Sequence, residues 1–145
     1  MRFAFGSLGT PLVAAVLVAA ASPAAARDDS RVGRGSALFN GQADLRGRLA
    51  DHVDPLPAAV LACVNCHEGR AADGAPDLRG GWLSTTRSRR NGPASAYDAA
   101  TFCATLRTGI DPVQVRLPVL MPRFDLSDEA CSDLWNYLDA PRPRR

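Results

Sequence analysis

Residues 63–67 read Cys63-Val64-Asn65-Cys66-His67, and no other feature limits the chain as sharply. Two thiols three positions apart, with an imidazole directly after the second, are spaced to attach a c-type haem. Both sulfurs can reach the vinyl groups of one macrocycle, and His67 is then held beneath the iron as an axial ligand. Other chemistry uses the same residue types. Cys63 and Cys66, with two partners from Cys103, Cys131 and His67, make up a zinc set. The pair also reads as a dithiol redox site, or as half of the cysteines in two plain disulfides. A zinc site does not need His directly after the second Cys, and a thioredoxin-type pair wants a βαβ setting that the sequence does not offer. One covalent haem c is therefore the expected cofactor.

The segment before the motif reads as a targeting sequence. Arg2 is followed by the apolar run 12–21 and by Ala24-Ala25-Ala26, a small-x-small site before Arg27. This pattern is that of a secretory signal peptide over 1–26, cleaved after Ala26, with 27–145 as the working domain. The run falls short of the roughly 20 apolar residues that a span requires, and Pro11 and Pro23 flank it. The expected location is the periplasm, with membrane association only if the segment is retained.

Removal of residues 1–26 would leave 119 residues, with 16 arginines, no lysine and 15 acidic residues. A charge so small and so mixed in sign does not mark a nucleic-acid binder. Only about 41% of that remainder is hydrophobic, much of it alanine, which is lean for a stable core. A covalently attached haem would be the largest apolar group in it.

Along the chain, 27–34 reads as a loose polar arm. A helix is expected from Gly35 to about Leu49, interrupted at Gly41, and a short one over Ala58–Cys66 with Pro57 near its first turn. Residues 68–94 read as loop. Ser95-Ala96-Tyr97-Asp98 has the form of a capping box. Beyond it, Ala99, Phe102, Cys103 and Leu106 share one helical face, with Gly109 as the stop. Residues 110–126 are irregular and proline-rich. Ser127 caps a last helix, Asp128 and Glu129 occupy its first turn, and Cys131, Leu134, Trp135 and Leu138 form its buried face. Residues 140–145 are a Pro/Arg tail. No strand pair is evident.

A sixth ligand for the iron has few sources. Beyond residue 26 the chain has one methionine, Met121, and two histidines, His52 and His67. Met121 lies between Pro118 and Pro122 in an apolar loop whose prolines restrict its freedom. It reads either as the thioether ligand or as an apolar packing residue. His52, in a polar stretch, is the rival. Cys103 and Cys131 lie on the apolar faces of two helices, either joined as a disulfide or packed as buried thiols. Leu78, Trp82, Phe102, Leu106, Leu117, Leu120 and Phe124 are expected pocket residues. Arg87, Arg89 and Arg90, and the tail Arg142, Arg144 and Arg145, read as solvated clusters or as steering charge for an acidic partner. Arg123, beside the Met121 loop, is the better single candidate for a docking or haem-propionate contact.

Across 33–139 the chain resembles the class I c-type cytochromes. Gly33–Phe39 (GRGSALF) resembles the amino-terminal helix of that family. Cys63, Cys66 and His67 match its attachment triplet. Ala75-Pro76-Asp77-Leu78 resembles a stretch whose proline carbonyl accepts a hydrogen bond from the proximal His. Met121-Pro122 matches the distal ligand loop, and 126–138 (LSDEACSDLWNYL) the carboxy-terminal helix. The family's Leu-Phe pair sits closer to the first haem Cys than Phe39 does to Cys63, so 41–61 reads as an insertion carrying His52. The resemblance implies an all-α fold, a cytochrome c-like small helical domain wrapped around one covalently attached haem. It implies an electron carrier rather than an enzyme, with His67 and Met121 as iron ligands and Pro76 orienting His67. Redox protein partners, a periplasmic dehydrogenase or a terminal oxidase, are expected. Alternatives are a haem c subunit of such a complex, or a ligand-binding or peroxidatic haem protein if Met121 does not ligate.

Overall fold

The computed structural model describes residues 23–68, 75–79 and 81–141. Helix α1 (Pro23–Phe39) and helix α5 (Asp128–Asp139) lie at opposite ends of that chain and pack on one another. Gly35 makes the close approach, because a Cβ there would overlap the Asp133 carbonyl and the Tyr137 side chain. Leu38 and Phe39 of α1 meet Leu134 and Leu138 of α5 in the core. The Phe39 and Tyr137 rings lie 5.5 Å apart. Arg34 Nε and Nη2 donate to the Asp133 carboxylate at 2.5 and 3.0 Å, so the carboxylate that α5 buries is paired.

The loose arm expected at 27–34 is instead part of α1. Alanine-rich sequence with Pro23 in the first position favours a helix here. Packing of Gly35–Phe39 and the Arg34–Asp133 pair then hold it against α5. The same helix stops at Phe39 rather than continuing towards Leu49. Gly41, at a φ of +69°, turns the chain away, as its left-handed conformation favours.

Helix α4 (Ala99–Thr108) packs beside α5. Its capping box lies three residues later than the expected one. Asp98 is the N-cap, accepting from the Thr101 N–H, while the Thr101 hydroxyl accepts from the Asp98 N–H. Gly109 ends the helix in the left-handed conformation, with φ +72°. Helix α5 starts as expected, with Ser127 accepting from the Ala130 N–H. A disulfide joins Cys103 of α4 to Cys131 of α5, and the Phe102 and Trp135 rings meet at 5.5 Å beside it.

The all-α expectation is corrected. Among the described residues there are, besides helices, two antiparallel ribbons, giving mixed helix and strand content and not a clear all-α cytochrome fold. In one, β1 (Gly47–Arg48) pairs with β4 (Arg123–Phe124). In the other, β2 (Arg87–Ser88) pairs with β3 (Ala94–Ser95), so Ser95 is a strand residue and not a helix cap. Strands of two residues are too short to show alternation in the sequence; β1–β4 forms by distant pairing, and β2–β3 across a short turn. The segment 41–61 contributes to the core through Leu45 and Leu61, which are 3% and 1% exposed. Helices α2 (Ala58–Leu61) and α3 (Val64–His67) are single turns separated at Ala62. Residues 1–22 of the expected signal segment, and Arg142, Arg144 and Arg145, lie outside the described residues. Among the described residues no helix is long and apolar enough to cross a membrane.

Two consequences for stability follow. Gly35→Ala forces a methyl into the α1–α5 contact and should cost about 1–3 kcal/mol, read as a lower urea midpoint. Replacing both Cys103 and Cys131 by Ser opens a loop spanning 28 positions. It should cost about 3–4 kcal/mol in the chain-entropy account, and the loss should match that produced by reducing the parent protein.

Candidate functional site

The motif residues lie on α3 and the turn before it. Cys63 begins the turn, and the His67 N–H donates to its carbonyl at 2.9 Å. One helical turn thus carries two thiols and an imidazole within five residues, without bringing the three side chains to one point. Neither Cys63 nor Cys66 is in a disulfide. Cys63 faces the core, and Cys66 is exposed. Burial pushes the Cys63 thiol up to about 11.

His67 is 8% exposed, and its Nδ1–H donates to the Pro76 carbonyl at 2.8 Å. That bond fixes the tautomer and leaves the Nε2 lone pair for a metal. Burial lowers the His67 pKa, and the Pro76 bond opposes this. The imidazole is therefore neutral at neutral pH, the form that binds metal.

Cys63 lines a closely packed apolar crevice with Leu45, Leu106, Phe124, Leu126 and Leu134 that has no room for a water molecule. A macrocycle entering it would have to spread the flanking loops. Of the expected pocket residues, Leu106 and Phe124 line this crevice. Phe102 is in the core, and Leu78 and Trp82 pack against it. Leu120 is not a pocket residue here, being 71% exposed beside Val119 at 64%. Met121 packs partly buried against the core. His52 is exposed.

The cysteines outside the motif bear on the rival readings. Cys103 and Cys131 are bonded to one another and so are not ligands for a zinc shared with Cys63 and Cys66. Among the described residues, no three of His, Cys, Asp and Glu converge as a metal-binding group.

The arginine cluster at 87–90 is not a uniformly solvated loop, because one member turns inward. Arg89 is 4% exposed. Its guanidinium lies 4.7 Å from the Trp82 ring and 5.2 Å from that of Tyr97. It donates to the carbonyls of Trp82, Leu83, Thr85 and Ser95. Burial holds its pKa below the usual arginine value. Arg90 pairs with buried Asp111. Sequence reading missed this arrangement, because a run of arginines carries no sign of which one turns inward. Arg123, expected as a docking residue, folds back onto the carbonyls of Met121 and Leu117.

The donor set fits a haem c in its chemistry. Two unbonded thiols and a buried, oriented imidazole are its attachment groups. A haem also carries two carboxylates, and the β2–β3 ribbon holds buried donors that lack acceptors: Arg87 Nε, Arg89 Nε and Ser95 Oγ. Buried donors of this kind are costly unless an acceptor completes them.

In the protein without attached haem, Cys66 should be alkylated by iodoacetamide well before Cys63. The Cys63 rate should rise about tenfold per pH unit towards pH 11, since the thiolate is the reacting form. Peptide mass mapping against time and pH reads both.

Comparisons with protein-family models, with curated proteins and with solved structures find no match to this chain.

Proposed function

We propose that this chain is an exported electron-transfer protein of the class I c-type cytochrome family, carrying one covalent haem c. The observation that carries the reading is the α3 turn, with two free thiols next to an imidazole whose Nδ1 is already committed to Pro76. Cys63 and Cys66 would hold the group through thioethers. His67 would ligate through Nε2, oriented by the Pro76 carbonyl. Met121 would supply a second, thioether donor. When bound, the haem supplies a one-electron iron couple.

The protein's own part is positioning and exclusion of water. Leu45, Leu106, Phe124, Leu126 and Leu134 give the crevice beside Cys63 an apolar wall. A thioether ligand and a dry wall both favour the reduced iron and raise the potential. Arg87, Arg89 and Ser95 offer donors to carboxylates. The Cys103–Cys131 disulfide suits an oxidising compartment such as the periplasm. Its redox partners there would be a dehydrogenase that donates the electron or an oxidase that accepts it. The exposed Val119 and Leu120 favour a second arrangement, the same chain as the haem subunit of such a complex, with these side chains covered by the catalytic subunit.

Production with a haem-attachment system tests the reading. Haem should remain with the protein through acid-acetone extraction, and should be lost when Cys63 and Cys66 are both changed to Ala. The ferric protein should show the weak long-wavelength methionine band, absent in Met121→Ala. Extractable haem would overturn the attachment. A native protein without the methionine band, and with tight carbon monoxide binding in the ferrous state, would overturn the electron-carrier assignment in favour of a ligand-binding or peroxidatic protein.

A further inference from the structure

We propose that Arg123 is a positioning residue for Met121, setting the shape of the 117–121 loop through its guanidinium. This rests on the reading of Met121 as an axial ligand.

The loop is short of donors of its own. Pro118 and Pro122 have no N–H. The Met121 N–H donates to the Pro118 carbonyl at 3.0 Å, closing a local turn. The Leu117 N–H donates to the Gly109 carbonyl at 2.8 Å, tying the start of the loop to the end of α4. Arg123 completes the frame. Its Nη1 donates to the Met121 carbonyl, and its Nη2 donates to the Leu117 carbonyl at 3.5 Å. One planar group thus spans the two ends of the loop, which a point charge such as an ammonium does not reproduce.

Two features hold the guanidinium in that place. The backbone of Arg123 is fixed by the β1–β4 ribbon, opposite Arg48. Its side chain lies across Gly109, where a Cβ would overlap Nε, Cζ and Nη2. Glycine at 109 therefore does two jobs. It takes the left-handed conformation that ends α4, and it leaves the space that Arg123 fills. The guanidinium is partly desolvated, with its pKa held below the usual value by burial. This is the setting of a structural brace, whereas Arg116 nearby is exposed.

The test uses haem-loaded protein and follows imidazole binding to the ferric form by loss of the methionine band. Loosening the loop raises the fraction of molecules open to an outside ligand. Arg123→Ala should therefore bind imidazole about tenfold more tightly than the parent. Arg123→Lys should behave like Arg123→Ala, because it keeps the charge and loses the bridge. Arg116→Ala should match the parent. In the protein without haem, amide exchange at Met121 should quicken in Arg123→Ala by more than at the amides of α5. Gly109→Ala should quicken that exchange in the parent, but add less in the Arg123→Ala background, where the overlap is gone. Imidazole affinity within twofold of the parent in Arg123→Ala, or full recovery in Arg123→Lys, overturns the role of Arg123 while leaving Met121 as ligand. A parent protein without the methionine band overturns the ligand reading itself, and this role with it.

Discussion

The contact of α1 with α5 at Gly35 is the constraint on which the rest of the molecule depends. It joins the two ends of the described chain, and glycine brings the α1 backbone against the Asp133 carbonyl. Close approach lets Leu38 and Phe39 reach Leu134 and Leu138, and it places Arg34 on the carboxylate that α5 buries. The Cys103–Cys131 bond then pins α4 to α5. Three helices become one frame. The segments between them, including both pieces of the candidate site, hang from it.

Those segments are short of regular structure, and they are held in a different way. Single turns such as α2 and α3 do not stand alone in water. Leu61 anchors α2 in the core, Cys63 faces the core at the start of α3, and Pro76 takes the hydrogen bond of His67. The methionine loop is tied to the end of α4 and to the β1–β4 ribbon. The site is thus assembled from pieces with little independent stability, each fixed by one or two contacts to the helical frame.

Arginine serves as the tie in several of these places. The chain has no lysine, and several arginines donate to carbonyls or to a buried carboxylate, among them Arg34, Arg89, Arg90, Arg107 and Arg123. A guanidinium offers several donors in one plane and loses less on leaving water than an ammonium does. Loops with few N–H groups to spare gain most from that, and prolines and tight turns make these loops poor in donors. A charge count that reads Arg89 as surface therefore misplaces it.

What the sequence alone determined were the features set by nearest neighbours. The Cys63–His67 spacing, the Gly109 stop, the Ser127 cap and the apolar faces of α4 and α5 all rest on local geometry within one or two turns. They were legible, as was the pairing of Cys103 with Cys131 as one of two readings. Tertiary structure decided the rest. The arm at 27–34 is helix as the extension of the turn that docks Gly35–Phe39 on α5, with Arg34 tied to Asp133. The two-residue ribbons exist because Arg123–Phe124 meets Gly47–Arg48 across the fold, and Arg87–Ser88 meets Ala94–Ser95 across a turn. Arg89 is buried because the Trp82 and Tyr97 rings and the carbonyls of Trp82, Leu83, Thr85 and Ser95 converge on it. Each of these depends on partners remote in the chain or on a loop shape that closes only in the folded state. Short-range pattern carries no information about either, because the free energy that selects them comes from burial and pairing after the chain has come together.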